Sequence, residues 1–421
     1  MLPAQDESPS DETSLRYAGW RVVLASFLML TLLFGFGLYG HAVYLAELQR
    51  QNGWPAALIS GASTLSFLLS NIFATFTNEL MARLGAKRLV LMGIAALAGS
   101  TTLLAWATTP VRLYIAFFLM SFGWVGMGTV VTATVVSLWF VRRRGLAISL
   151  AFTGASFGGV VVTPLLLFLV ERFGFQVAML MGTAIIVAVL VPAAVGWIGS
   201  PPAAASQQRP SDGSSPVQTN AAMDAMSRAK ILRSLAFWSI AIPFALALVA
   251  QVGLIVHQIA LLEPKIGRAS AGGAVSLMTL MAIAGRLALG TVIDRFEPRL
   301  VAAVSLVSQA AALSIVLQTD TLAIVWAACA VFGLSVGTTI TLPPLIIQRE
   351  FDAPSFAVVL GLANAVSGTI GALGPALVGL VRAWSGGYDA VLMLCIAFEL
   401  LAAAILVARG RLSWRPAAAD G

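Results

Sequence analysis

Twelve times along this chain an apolar run continues for about as long as a lipid bilayer is thick. The runs fall near residues 20–45, 56–77, 89–108, 112–139, 145–170, 175–198, 235–262, 270–293, 300–318, 321–347, 354–381 and 388–408. A spanning helix needs about 20 residues. In hydrocarbon every backbone N–H and C=O must be satisfied within the segment, which leaves helices as the sensible choice for runs of this length. The expected fold is therefore an all-α membrane protein with twelve transmembrane helices. Composition agrees: 59% of the 421 residues are hydrophobic and 10% are charged, against about 25% charged in soluble domains.

The cations give an orientation. With the N-terminus inside, the inner segments hold 18 Lys and Arg residues, Arg83, Lys87, Arg88, Arg142 to Arg144, Arg295 and Arg299 among them. The outer segments hold six: Arg50, Arg112, Arg172, Lys265, Arg268 and Arg382. Such a bias predicts cytoplasmic termini in an inner (plasma) membrane. The net charge of +7 is thus a topology signal spread over many loops, and nucleic acid is not an expected partner. Residues 1–15 are polar and acidic and lack the pattern of a cleavable leader.

One break divides the chain. Ser200 to Met226 is rich in Pro, Ser, Ala and Gln, a composition that buries little apolar surface and reads as a flexible linker. The expected organisation is a cytoplasmic tail (1–19), a six-helix bundle (20–198), a cytoplasmic linker (199–234), a second six-helix bundle (235–408) and a cytoplasmic tail (409–421). The halves repeat. Phe122–Gly123 is echoed by Phe332–Gly333. Gly145–Leu146–Ala147 with Gly154, Gly158 and Pro164 is echoed by Gly361–Leu362–Ala363 with Gly368, Gly371 and Pro375. Arg83 in the 2–3 loop matches Arg295 in the 8–9 loop. Two pseudo-symmetric bundles are a transporter architecture with a site between the repeats near the midplane.

Inside the eighth run sits one cation, Arg286, amid Leu280–Met281–Ala282–Ile283–Ala284–Gly285 and Leu287–Ala288–Leu289. It lies eight residues before Asp294, about 12 Å from the inner surface at 1.5 Å per residue. A charge at bilayer depth costs about 2.5–3.5 kcal/mol even on lenient insertion scales. A cation there matches an anion; the bland alternative is a tie to a backbone carbonyl between helices. No Cys pair at ligand spacing, zinc-protease helix or phosphate-cradling loop is present. No metal, cofactor or enzymatic activity is expected, and the driving energy would come from gradients.

At this level of detail the chain resembles the major facilitator superfamily over nearly its whole length. The 8–9 loop Gly290–Thr291–Val292–Ile293–Asp294–Arg295–Phe296–Glu297–Pro298–Arg299 is similar to that superfamily's loop motif. The 2–3 copy is degraded, with Asn78 and Ala82 in place of the usual Gly and Asp, while Arg83, Gly85, Lys87 and Arg88 remain. Within the superfamily it looks most like the monocarboxylate transporter and oxalate:formate antiporter branch. The residues carrying that likeness are Tyr17–Ala18–Gly19–Trp20–Arg21, Asn52–Gly53–Trp54–Pro55, Ser137–Leu138–Trp139–Phe140 with Arg142 to Ala147, and Gly285–Arg286. The resemblance implies that Arg286 binds the substrate carboxylate. The animal transporters' aspartate one turn earlier is here Ala282, so their proton mechanism does not carry over. The antiporter's second cation on span 11 is absent, since no Lys or Arg lies between Arg349 and Arg382. One planar guanidinium matches one carboxylate, which favours a monocarboxylate.

Other polar groups in the runs are weaker candidates for lining the site. Gly37, His41 and Tyr44 fall on one helical face, with Tyr39 on another. His41 is a candidate proton carrier or an outer-interface anchor. Gln251 is deep enough to donate to substrate, whereas His257 reads as an external interfacial residue. Asn364 shares a narrow face with Ser367, Gly368 and Gly371, bonding across helices or lining the cavity. Glu399 in the last run is either a hydrogen-bonded packing residue or a second proton-coupling candidate. Arg83, Asp294 and Arg295 are expected to act as inner-face latches. The function expected is alternating-access symport or exchange of small organic anions by a monomer, with protons as a possible second cargo. The rival is a proton-coupled exporter of amphiphilic compounds, weakened because Gly158 is followed by Gly159 where drug exporters of the superfamily carry Gly-Pro. A non-transporting sensor would need a soluble signalling domain that no segment is long enough to form.

Overall fold

The protein, described from a computed structural model, is ordered helix after helix along the chain. The structure describes residues 12, 14, 17–140, 143–199, 228–339, 341–352 and 354–413, with the side chains of 291, 292, 294, 357 and 410–413 left aside. Among the described residues there is no strand. Twelve helices are long and apolar enough to span a membrane: α1 (Gly19–Asn52), α2 (Ala56–Ala74), α3 (Ala86–Ala105), α4 (Pro110–Ser137), α5 (Arg144–Phe173), α6 (Phe175–Trp197), α7 (Leu235–Ile266), α8 (Arg268–Val292), α9 (Pro298–Gln318), α10 (Leu322–Glu350), α11 (Phe356–Ser385) and α12 (Asp389–Ser413). Each coincides with one of the apolar runs. Two shorter helices, Thr77–Leu84 and Arg228–Leu232, lie outside them. Most of the linker and the extreme tails fall outside the described residues.

The helix ends obey local chemistry. Thr109 accepts a bond from the Arg112 N–H and Pro110 takes the first turn of α4; Glu297 accepts from the Leu300 N–H and Pro298 opens α9. Gly174 and Gly267, with φ of 81° and 79°, close α5 and α7 and at once begin α6 and α8. A side chain at either would be strained. Four spans are interrupted, α11 among them by a turn at Ala372–Leu373 ahead of Pro375. α1 carries a π-turn at Gly35–Tyr39, α4 changes course at Gly128, and α10 is broken near Thr341 ahead of Pro343 and Pro344.

By internal packing the chain forms two compact units that do not follow the sequence halves. Unit 1 comprises residues 1–40 and 72–214, and unit 2 comprises residues 41–71 and 215–421. The boundary in α1 falls just after its π-turn, and the boundary in α2 falls at Asn71. Within unit 1, α1 and α5 touch backbone to backbone: a methyl on Gly154 would sit 2.2 Å from the Phe27 carbonyl oxygen, and one on Gly158 2.4 Å from that of Thr31. Unit 2 repeats the arrangement between α7 and α11, where a methyl on Gly374 would meet the Val249 carbonyl oxygen at 2.3 Å. Of the echoed glycines, Gly154 and Gly158 pack on α1 and Gly371 packs on Leu248 of α7, whereas Gly145 and Gly361 have nothing within 4 Å of where a methyl would sit. Tyr17 donates to the Trp139 carbonyl, and its ring meets Phe140 edge-on at 5.3 Å, as Trp20 does at 5.0 Å. Two of the motifs that carried the branch resemblance thus clasp one another at the start of α1 and the end of α4. Burial, and secondly the nearby Glu12 carboxylate, push the Tyr17 hydroxyl above its ordinary pKa.

Candidate functional site

Arg286 lies half-buried on α8, and glycine determines where α8 runs. A methyl on Gly285 would stand 2.1 Å from the Leu334 carbonyl oxygen. One on Gly333 would stand 2.2 Å from that of Met278, and one on Gly337 1.9 Å from that of Ala282. Over two turns α8 and α10 are in backbone contact, a rigid seat for the arginine. Ala282, one turn before Arg286, is 4% exposed inside that seam. A carboxylate there would be packed against α10, remote from water.

Gln251 is buried on α7. Its Nε2 donates to Gln309 Oε1 on α9 at 3.0 Å and to Thr339 Oγ1 on α10 at 2.9 Å, and Gln309 Nε2 donates to the same hydroxyl at 3.2 Å. Beside this triad a polar seam joins α9 to α10 through Ser305–Thr338 and Ser308–Ser335, each 2.5 Å. Gln309 and the seam were not singled out in the sequence, where isolated Ser and Thr in apolar runs carry little signal.

His41 and Tyr44 are both fully buried and adjacent, their rings 5.9 Å apart; His41 also faces Phe67 of α2 at 5.1 Å. Tyr39 is buried within the π-turn. Asn364 is exposed on α11. His257, read above as interfacial, is buried: one ring nitrogen lies 3.1 Å from the Tyr388 hydroxyl and the other 3.3 Å from the Pro375 carbonyl oxygen. It ties α7 to α11 and to the residue before α12. Glu399 is 0% exposed, and neither carboxyl oxygen has a hydrogen-bond partner.

In the 2–3 loop of unit 1, Arg83 pairs with Glu79 one turn away on its own short helix, both exposed. Arg295 is exposed, and the Asp294 side chain lies outside the described ones. Lys87 caps α6 through the Val195 carbonyl oxygen at 2.6 Å. The motif's last residue does the most. Arg299 is 0% exposed and bound along its Nε–Nη2 edge to both oxygens of Glu350, with Ser239 taking two further bonds.

The opposite loop side, formed by the α1–α2, α7–α8, α9–α10 and α11–α12 connections of unit 2, holds a charged cluster. Arg50 meets Glu263 at 2.6 Å and Glu47 at 3.4 Å, and Arg268 approaches Glu47 at 2.5 Å. Lys265 pairs with Asp320 at 2.7 Å, and Arg382 donates to Gln49 at 2.7 Å beneath the Tyr388 ring. Glu47, three residues before Arg50 and the one acidic residue of α1, was the sequence signal that the count of basic residues passed over. No cluster of three or more His, Cys, Asp or Glu side chains fit for a metal occurs among the described residues.

Twelve helices long and apolar enough to span a membrane, with close glycine seams repeated between equivalent pairs, define an integral membrane protein. The sequence profile of the Major Facilitator Superfamily matches residues 27–375. The chain belongs to that superfamily. Among curated proteins it is similar to monocarboxylate transporter 13 of Bos taurus, 28% identical over 167 residues covering 40% of this chain and 39% of that protein. It is also similar to human monocarboxylate transporter 11, 28% identical over 168 residues covering 40% and 35%, and to the MFS-type transporter pynF of Aspergillus niger, 27% identical over 201 residues covering 46% and 44%. The matched stretches thus span less than half the length of these relatives. In fold it is similar to a bacterial homologue of the human lysosomal transporter Spinster in an inward-facing, occupied conformation (TM-score 0.71, 15% identity, 96% of this chain and 100% of that one). It is likewise similar to the D323A mutant of the nucleoside transporter NupG (TM-score 0.73, 15% identity, 93% and 99%).

Proposed function

We propose that the protein is a secondary active transporter of small organic anions, monocarboxylates foremost, working by alternating access as a symporter or exchanger. What supports this reading is Arg286, set within the apolar eighth span on a helix whose path is fixed by backbone contact with α10. Its cation is expensive in lipid and its fork suits a single carboxylate. Curated relatives named monocarboxylate transporters support the same class. Gln251, Asn364, Tyr39, His41 and Tyr44 are the proposed supporting residues. His41 and Glu399 are the proposed proton carriers, since a buried carboxyl with no partner is costly and is kept for a reason. Arg83, Asp294 and Arg295 are proposed inner-face latches. The proposed setting is an inner membrane with both termini cytoplasmic, from the basic-residue bias.

The test is uptake of radiolabelled pyruvate, lactate and acetate by proteoliposomes. Arg286→Ala is expected to abolish it, and Arg286→Lys to leave a small residue, with membrane abundance unchanged. Uptake by Arg286→Ala at the wild-type rate would remove the assignment. One observation favours the exporter reading instead. Unit 2 has a partly open recess of about 40 Å³ lined almost wholly by apolar side chains, Leu254, Leu261, Met278, Leu313 and Phe332 among them, with Gln258 the exception. Extrusion of amphiphilic dyes unaffected by Arg286→Ala would select that reading.

A further inference from the structure

The recess in unit 2 has one polar wall. Gln258 on α7 is 6% exposed, and its amide Nε2 has no hydrogen-bond partner. The residues lining the recess with it include no Lys, Arg, His, Asp or Glu. α7 adds Leu254 and Leu262, α8 adds Met278, α9 adds Val316, and α10 adds Cys329 and Phe332. Each of these is at most 7% exposed, and Cys329 is the one titratable side chain in the lining. Gln258 stands eight residues before Ile266, the last of α7, and Val316 two before Gln318, the last of α9. At 1.5 Å per residue the recess lies within about 12 Å of the helix ends beside Lys265 and Asp320.

A buried amide that borders open volume selects what enters. The recess of about 40 Å³ takes about three water-sized groups at about 10–15 Å³ each. A water there needs about two to four polar partners, and the lining side chains offer a single amide. A bare carboxylate would enter apolar walls with no counter-charge. A primary amide presents an N–H donor and a C=O acceptor along one edge. The undissociated carboxyl group presents the complement, an acceptor C=O beside a donor O–H. We infer that the recess binds a short-chain carboxylic acid in its undissociated form, and that Gln258 is the residue that recognises it. Nε2 donates to the acid's carbonyl oxygen, the acid's hydroxyl donates to Oε1, and a tail of one or two carbons meets Leu262, Val316 and Phe332. The proton arrives and leaves on the ligand, so no group of the protein titrates. The site goes beyond the transport reading above and depends neither on Arg286 nor on the direction of transport: Arg286 would meet the anion, Gln258 the neutral acid.

The full-length protein in nanodiscs tests this with acetate, acetamide and acetone as probes. Acetamide matches acetic acid in size, pairs with an amide through the same two bonds and does not ionise; acetone can only accept. The first readout is the unfolding temperature, which rises with any ligand that binds the folded chain alone. Between pH 7 and 5 the acetate concentration giving half the rise should fall about tenfold per pH unit, following the undissociated fraction, while that of acetamide stays constant. The second readout is modification of Cys329 by methyl methanethiosulfonate at pH 8, in the Cys395→Ala protein, where Cys329 is the only cysteine left. Acetamide should slow it severalfold, and acetate, ionised at that pH, should not. Gln258→Leu keeps the bulk and removes an unmet buried donor, so it should fold at least as well, and both acetamide effects should vanish. Arg286→Ala should leave every ligand effect as in wild type whatever it does to uptake, so a failure of the anion reading is told apart from a failure of this one. Acetate potency indifferent to pH, acetamide effects that survive Gln258→Leu, or acetone equal to acetamide in the wild type would each overturn the inference.

Discussion

Replacing Glu350 with alanine should destabilise the protein more than replacing any exposed ionic residue. Arg299 is fully buried, and four bonds hold its guanidinium: two to Glu350 and two to Ser239. Breaking a buried pair by removing one partner costs about 3–5 kcal/mol, because the remaining charge is left uncompensated. Two features place Glu350→Ala toward the lower end, about 3 kcal/mol: Ser239 still accepts two bonds, and the Glu350 side chain is 17% exposed, so water can reach the vacated space. Glu350→Gln keeps one acceptor but turns an amide N–H₂ toward a guanidinium donor, and should cost about 1.5–3 kcal/mol. The paired change Arg299→Met with Glu350→Leu removes both charges and should lie within about 1 kcal/mol of wild type. By contrast Glu79→Ala, which breaks the exposed Arg83 pair, should be almost silent. Thermal unfolding in detergent, read with denaturant titration, ranks the four variants. If Glu350→Ala costs less than about 1 kcal/mol, or if the paired change is as damaging as the single one, burial of an unpaired cation is not what governs this end of the bundle.

Three further outcomes follow from particular contacts. Gly337→Ala forces a methyl to within 1.9 Å of the Ala282 carbonyl oxygen, so α8 and α10 must part; stability should fall by about 1–3 kcal/mol, and carboxylate uptake should drop with it because Arg286 moves. Unchanged uptake would detach Arg286 from the seam. Tyr17→Phe loses the bond to the Trp139 carbonyl and should cost about 1 kcal/mol at neutral pH. Because burial and then Glu12 raise the Tyr17 pKa in the folded protein, its contribution is complete below the unfolded value near 10 and declines as pH rises beyond it. Unfolding curves between pH 7 and 11 should show an alkaline loss that is smaller in Tyr17→Phe. Glu399→Leu removes a buried carboxyl that has no partner and should raise stability by about 1–3 kcal/mol; a fall in the unfolding temperature would show that the carboxyl is bonded after all.

Length and hydropathy made the twelve helices legible, because a span is fixed by bilayer thickness and needs no knowledge of its neighbours. Some of the echoed glycines were legible for a similar reason: Gly154, Gly158 and Gly371 permit close approach whichever helix arrives. What stayed hidden depends on partners far apart in the chain. Arg299 reads as one more basic loop residue until Glu350, 51 positions later, is brought to it. Glu47 and Arg268 stand 221 residues apart, and in sequence the arginine is only a cation on the poorer side of the basic-residue count. The π-turn in α1 is likewise invisible to a 3.6-residue period, although it precedes His41 and Tyr44 and resets the face on which they lie. The pattern has a physical basis. Topology signals are sums over many residues and survive the loss of any one. A charged site is a difference between large desolvation and pairing energies, and its sign is set by a single oxygen. Arg299 shows that difference within one unit: its guanidinium is fully buried, and its two bonds to carboxylate oxygens exist only because Glu350 arrives from 51 residues away.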